Sequence, residues 1–182
     1  MKLKPAALVL IVGAVLCAQA VPLAQKSTGA GPIVVLETSK GTIEFETYPE
    51  DAPKTVARIL DLIKKNFYNG QRFHRVEPKF LVQVGVPASR DMSKQAWWRR
   101  SPGSGQSIGV AEITKRRRHV AGAVAMAHAG DPKLADSQFY ILMRPAPTLD
   151  GKFTVFGRVI RGLDVVQKLR LADMLKKASV KP

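Results

Sequence analysis

What most constrains this 182-residue chain is a succession of short β-forming runs, each closed by turn residues. "PIVVLETSKGTIEFETYP" holds two such runs joined at Ser39-Lys40-Gly41. In the second, Thr42, Glu44 and Glu46 alternate with Ile43, Phe45 and Thr47, the period of a strand with one wet and one dry face. This predicts a hairpin. Further strands are predicted at 71–76, 79–84, Gly122–Ala127, Gln138–Met143 and Thr154–Ile160, with Asp150-Gly151 as a hairpin-type turn. Only two stretches have helical spacing. Val56, Ile59, Leu60 and Ile63 form an apolar stripe after Asp51, a candidate cap, and Pro53, which the first turn tolerates. Leu163, Val166, Leu169 and, loosely, Leu171 and Met174 predict a C-terminal amphipathic helix whose far face carries Lys168, Arg170, Lys176 and Lys177. Many short strands with two helices predict a closed β-barrel, which leaves no sheet edge exposed. The pattern does not give strand order.

The N-terminus is of another kind. Lys2 and Lys4 precede an apolar run from Ala6 to Leu16, and Ala18-Gln19-Ala20 places small residues where a signal peptidase reads. The run is shorter than the roughly 20 residues of a bilayer-spanning helix. The expectation is a signal peptide over 1–20 cleaved after Ala20, a linker over 21–32, one domain over 33–178, and an exported, periplasmic or secreted protein. Cys17 is the only cysteine and would leave with the signal, so disulfides, thiolate metal sites and cysteine nucleophiles are excluded from the mature chain. The formal charge is +15, and removing Lys2 and Lys4 leaves 15 − 2 = +13. A field of that size favours anionic surfaces or polymers.

Residues 86–119 show little periodicity and exceed the usual loop length, which predicts a functional or mobile segment. They hold Lys115-Arg116-Arg117-Arg118 and Trp97-Trp98 beside Arg99-Arg100, a cation–aromatic pairing also used for single strands of nucleic acid. In an exported protein the reading is a solvated basic rim without a specific nucleic-acid partner. His74, His119 and His128 are too scattered for a zinc site, and Gly103–Gly109 lacks the strand and helix of a phosphate loop. Read alone, Arg75 is a surface ion-pair residue and Phe80, Leu81 and Tyr140 are core.

The motifs change that balance. "FHRVEPKFLVQVG", "GAVAMAHAGDPKLADSQFYI" and "LDGKFTVFGRVIRGLDVV" occur in that order, and each resembles a block of the cyclophilins, the prolyl isomerase family. The resemblance covers about residues 33–170. It implies an eight-stranded antiparallel barrel with a helix over each mouth and an active groove on the outer wall. It also implies peptidyl-prolyl cis–trans isomerisation without cofactor or metal, on proline-containing polypeptides, by a monomer. Arg75 would be catalytic. Phe80, Leu81, Tyr140 and Leu149 would line the proline cup, Phe153 would also bind substrate, and Gln83 would orient Arg75 and bind the substrate carbonyl. Backbone around Ala127, His128 and Ala129 would pin the residue before proline, with Gln138 lining the neighbouring pocket. A peptide-binding module with poor turnover and a basic polyanion-binding barrel are the alternatives. The chain departs from the common family pattern at Val84, Val86, His128, Thr148 and Phe153.

Overall fold

A computed structural model describes residues 30–181. The leader and most of the linker lie outside the described residues. In chain order the elements are β1 (Ile33–Thr38), β2 (Gly41–Thr47), α1 (Pro53–Lys64), β3 (Arg75–Glu77), β4 (Leu81–Val84), β5 (Ala123–Met126), β6 (Phe139–Leu142), β7 (Val155–Arg161), α2 (Leu163–Lys168) and β8 (Leu175–Val180). They form one eight-stranded antiparallel sheet in the order β3-β4-β6-β5-β7-β2-β1-β8. The expected strands and the first hairpin are present, and the sheet curls as a barrel does. Its ladder is not continuous. Between the terminal strands β3 and β8 the gap is crossed by one bridge, Arg72 to Met174. Backbone bonds such as Leu175 N–H to Gln71 C=O, 2.8 Å, and Phe73 N–H to Asp173 C=O, 3.0 Å, flank it.

Every residue of β4, β5 and β6 is buried. Val82, Val124, Phe139 and Ile141 face the interior with Phe45 and Phe156, whose rings meet edge to face at 6.1 Å. Leu81, Ala123, Ala125, Tyr140 and Leu142 belong to a second, smaller cluster on the other face. Strands buried on both faces lose the alternation that betrays a half-wet strand, as in the runs around β4–β6. α1 buries Thr55, Val56, Ile59, Leu62 and Ile63, with Leu60 half-buried against the same core.

Three local expectations are corrected. Asp51 does not cap α1, whose N-terminal cap residue is Ala52. Asp51 instead accepts from Arg117 Nε at 2.7 Å and meets Arg116 at 2.5 Å. The orphan amides of Lys54 and Thr55 donate to the Glu112 carboxylate at 2.9 and 2.8 Å, a cap supplied from 57 and 58 residues away. The C-terminal helix stops at Lys168, and Leu175–Val180 is a strand paired with β1. Thr38 faces Leu175 and Glu37 faces Lys177, so Lys176 is the extra residue of a bulge. The bulge leaves the buried pair Leu175 and Ala178 three residues apart, a helical spacing within a strand. Finally, Asp150-Gly151 is a turn, but it joins β6 to β7 with β5 between them and so makes no hairpin.

The segment 86–119 is built rather than featureless. It holds two 3-10 stretches, Pro87–Arg90 and Met92–Arg100. Trp98 is buried and donates Nε1–H to Asp91 C=O at 3.1 Å, while Trp97 is 62% exposed. Gly85, with φ +118, leads into it; a Cβ there would lie 2.4 Å from the Ser137 carbonyl oxygen, so the chain needs glycine at this point.

His74 is buried, and burial pushes its imidazole down from 6.5 to about 4. The native state therefore holds it neutral where the unfolded chain takes up a proton. Stability should rise with pH between about 4 and 6.5, the His74 share totalling about 3 kcal/mol. Urea unfolding of the wild type and His74→Gln across that window checks it: the variant should show a flatter profile, and parallel profiles would refute the assignment.

Candidate active site

The register of four adjacent strands sets the site. Arg75 of β3 lies opposite Gln83 of β4, Gln83 opposite Tyr140 of β6, and Tyr140 opposite Ala125 of β5. Cross-strand partners share a face. This row runs over the outer surface of the sheet, turned away from the core that holds Val82 and Ile141. The segment 144–153 folds over the same face, bringing Leu149 and Phe153 against the outer cluster.

The result is a cavity of about 270 Å³. Phe80, Leu81, Tyr140, Leu149 and Phe153 give it apolar walls, with Arg75, Gln83, Ala127 and His128 at its other side. Phe153 stands edge-on to Tyr140 at 5.8 Å. Thr148 is exposed and does not line this cavity. A second cavity of about 540 Å³ adjoins it through Gln83, Ala127 and His128, and there lie Ala129 and Gln138. Every site residue singled out from sequence thus borders one of two joined cavities.

Arg75 is held at two points. Its Nε–H donates to Glu77 Oε1 at 3.2 Å, and Nη1–H reaches Gln83 Oε1 at 3.4 Å. Nη2 makes no hydrogen bond among the described residues. Gln83 Nε2–H in turn donates to Gln138 Oε1 at 2.9 Å, and Gln138 Nε2–H reaches Ser101 C=O at 3.5 Å. A file of amides therefore sets the guanidinium against the outer loop. The backbone N–H and C=O of His128 have no partner among the described residues, while its ring packs on Phe153 at 4.5 Å and donates Nε2–H to Lys152 C=O at 3.0 Å. That leaves the main chain at 128 open to an extended peptide.

Behind the cup, the Tyr140 hydroxyl meets His119 Nε2 at 3.0 Å, and His119 Nδ1 meets Asp150 Oδ1 at 2.9 Å. Burial raises the Tyr140 phenol well above its ordinary range. The His119 backbone N–H, donating to Asp150 at 2.8 Å, leads the contacts that hold that carboxyl below its usual range. Both residues fix the ring that forms the cup wall. Sequence reading did not place them or Glu77 at the site, and it read Arg99 and Arg100 only as part of a basic rim. Glu77 was recoverable, since period two puts it on the face of Arg75; His119 and Asp150, 31 residues apart, carried no local signal.

Comparison with known proteins bears on the whole described domain. Residues 33–182 match the family model described as cyclophilin type peptidyl-prolyl cis-trans isomerase/CLD. The chain is 37% identical over 148 residues to Peptidyl-prolyl cis-trans isomerase CYP18-2 of Arabidopsis thaliana, covering 81% of this chain and 85% of that protein. It is 40% identical over 138 residues to Peptidyl-prolyl cis-trans isomerase B of Bacillus subtilis, covering 76% and 90%. The fold resembles that of a Cryptosporidium parvum cyclophilin type peptidyl-prolyl cis-trans isomerase crystallised in the presence of the dipeptide Ala-Pro. That likeness has a TM-score of 0.69 at 23% identity and covers 82% of this chain and 99% of the other. Over the length of its curled sheet, the chain belongs to the cyclophilin-type peptidyl-prolyl cis-trans isomerases.

Proposed function

We propose that Arg75 drives X–Pro isomerisation by stabilising the twisted amide in the apolar cup. The barrier of about 18–20 kcal/mol comes from amide resonance. At the top of it resonance is lost and the prolyl nitrogen regains a lone pair. A donor aimed at that nitrogen binds the twisted state more strongly than the planar one, and this difference lowers the barrier with no bond made. The observation that carries the reading is the unengaged Nη2 of an arginine whose Nε and Nη1 are already fixed beside the cup. A guanidinium is always charged and donates only, so it needs no partner acid or base. Phe80, Leu81, Tyr140, Leu149 and Phe153 would hold the proline ring, while Gln83 and the His128 backbone hold the chain before it. Fixing both flanks while one bond turns is catalysis by positioning.

The same reading makes the substrate a proline-containing polypeptide, as the Ala-Pro dipeptide in the Cryptosporidium structure suggests by analogy. Arg75→Ala should lower kcat/KM on a short X–Pro peptide by about 10²-fold, measured by NMR exchange. An unchanged rate would remove Arg75 from the mechanism.

The +13 surface supports a second, compatible role in holding the domain near an anionic surface or polymer. A cavity of about 270 Å³ beside Ala123 and Val155 of the outer cluster is ringed by Arg116, Arg117, Arg118 and Arg158 around Tyr48. Retention on a heparin matrix should fall steeply with salt, while turnover of a neutral X–Pro peptide stays flat. Retention insensitive to salt would defeat this role.

The setting we infer is folding of exported proteins, from Lys2, Lys4, the Ala6–Leu16 run and Ala18-Gln19-Ala20. N-terminal sequencing of the protein recovered from its native compartment should begin at Val21; a chain retaining Met1 in the cytoplasm would overturn the export reading.

A further inference from the structure

The cavity beside the proline cup has an outer wall that the sequence motifs do not account for. It comes from Arg99 to Gly103, the end of the Met92–Arg100 stretch and the residues after it. That wall is anchored. Trp98 is buried just before it, and Ser101 C=O accepts from Gln138. Ser104 N–H donates to Ser137 Oγ at 2.9 Å, and a Cβ on Gly103 would lie 2.4 Å from that same oxygen. The arginines at its head therefore stand at a fixed edge of the substrate groove.

Their charge is poorly answered. Arg100 is exposed, and its side chain has no hydrogen bond or ion pair with any described residue. Arg99 is 65% exposed and meets only Glu77, at 3.6 Å, while that carboxylate also accepts from Arg75 Nε. The single carboxylate lining the cavity is Asp136, and it is committed elsewhere. Its Oδ1 accepts from the Ser104 hydroxyl, its Oδ2 accepts from Gly105 N–H at 2.8 Å, and Arg58 lies 4.0 Å away. The cavity thus joins a polar, amide-lined floor at Gln83 and Gln138 to two cations that lack matched anions.

We propose that this cavity takes an acidic side chain of the substrate, within the two residues that precede X in X–Pro, and that Arg99 and Arg100 determine that preference. The assignment rests on the groove reading above, in which the main chain of Ala127–Ala129 holds the residue before proline. The cavity starts at that segment and runs away from the proline cup, so its occupant lies on the N-terminal side. A carboxylate there gains a pair of guanidinium groups carried on an anchored backbone, and a lysine meets like charge.

Peptides carrying Glu, Ala or Lys at either of the two positions before X, and others with Glu or Lys after the proline, test this by NMR exchange. The wild type should turn over the best N-terminal Glu peptide with kcat/KM roughly tenfold above its Lys counterpart, Ala falling between, as expected for a local charge pair. Moving the charged residue to the C-terminal side should remove most of that ratio. Arg99→Gln/Arg100→Gln should bring the ratio close to unity, whereas Lys176→Gln/Lys177→Gln on β8, with the same change in net charge, should leave it standing. Equal rates for Glu and Lys peptides, or equal erosion of the ratio by both double variants, would overturn the assignment in favour of an undirected field. Failure to accelerate any peptide would overturn the groove reading itself, and this assignment with it.

Discussion

The pairing of β4 with β6 is the contact on which the rest of this molecule depends. Val82 and Ile141 face each other toward the interior, and Gln83 and Tyr140 face each other toward the groove. A strand has a period of two, so one register fixes both faces at once. A slip by one residue would turn Gln83 into the core and Val82 into the groove. The burial of Val82, Ile141 and their aromatic neighbours therefore holds the active groove in place, although none of those residues touches it.

Fixing a register is also what this chemistry requires. An amide twisting about one bond offers no proton to remove and no centre to attack. The protein can only bind one geometry better than another, which requires a donor that does not move. In the reading proposed above Arg75 is that donor, held by Glu77 on its own strand and Gln83 on the next, with Gln138, just before β6, bonded to Gln83. The guanidinium is tied by polar contacts on the outer face while the backbone beneath it is tied by the apolar core. Cup and donor are two faces of the same packing.

In the reading proposed above, the insertion between β4 and β5 adds specificity to such a frame. Trp98 roots it, Asp136 and Ser137 receive its middle at Ser104 and Gly105, and Glu112 reaches back to complete the start of α1. One loop thus caps a helix, walls a cavity and carries the cations that extend the groove. Its local sequence has neither period two nor period 3.6, because its stability comes from contacts to distant elements.

The sequence by itself determined the strand-rich class, the hairpin at 33–47, the stripe of α1 and, through three ordered motifs, the family and the residues bordering the groove. These are encoded locally: alternation, helical spacing and short blocks survive in a linear reading. Tertiary structure alone decided the rest. It showed that the ladder stops between β3 and β8, that Leu175–Val180 is a strand disguised by the bulge at Lys176, and that Asp51 serves arginines instead of a helix end. It also brought His119 to Asp150 and Tyr140, and set Arg99 and Arg100 beside Gln138. Each of these is a partnership between residues far apart in the chain, and only the folding of the curled sheet brings such partners within bonding distance.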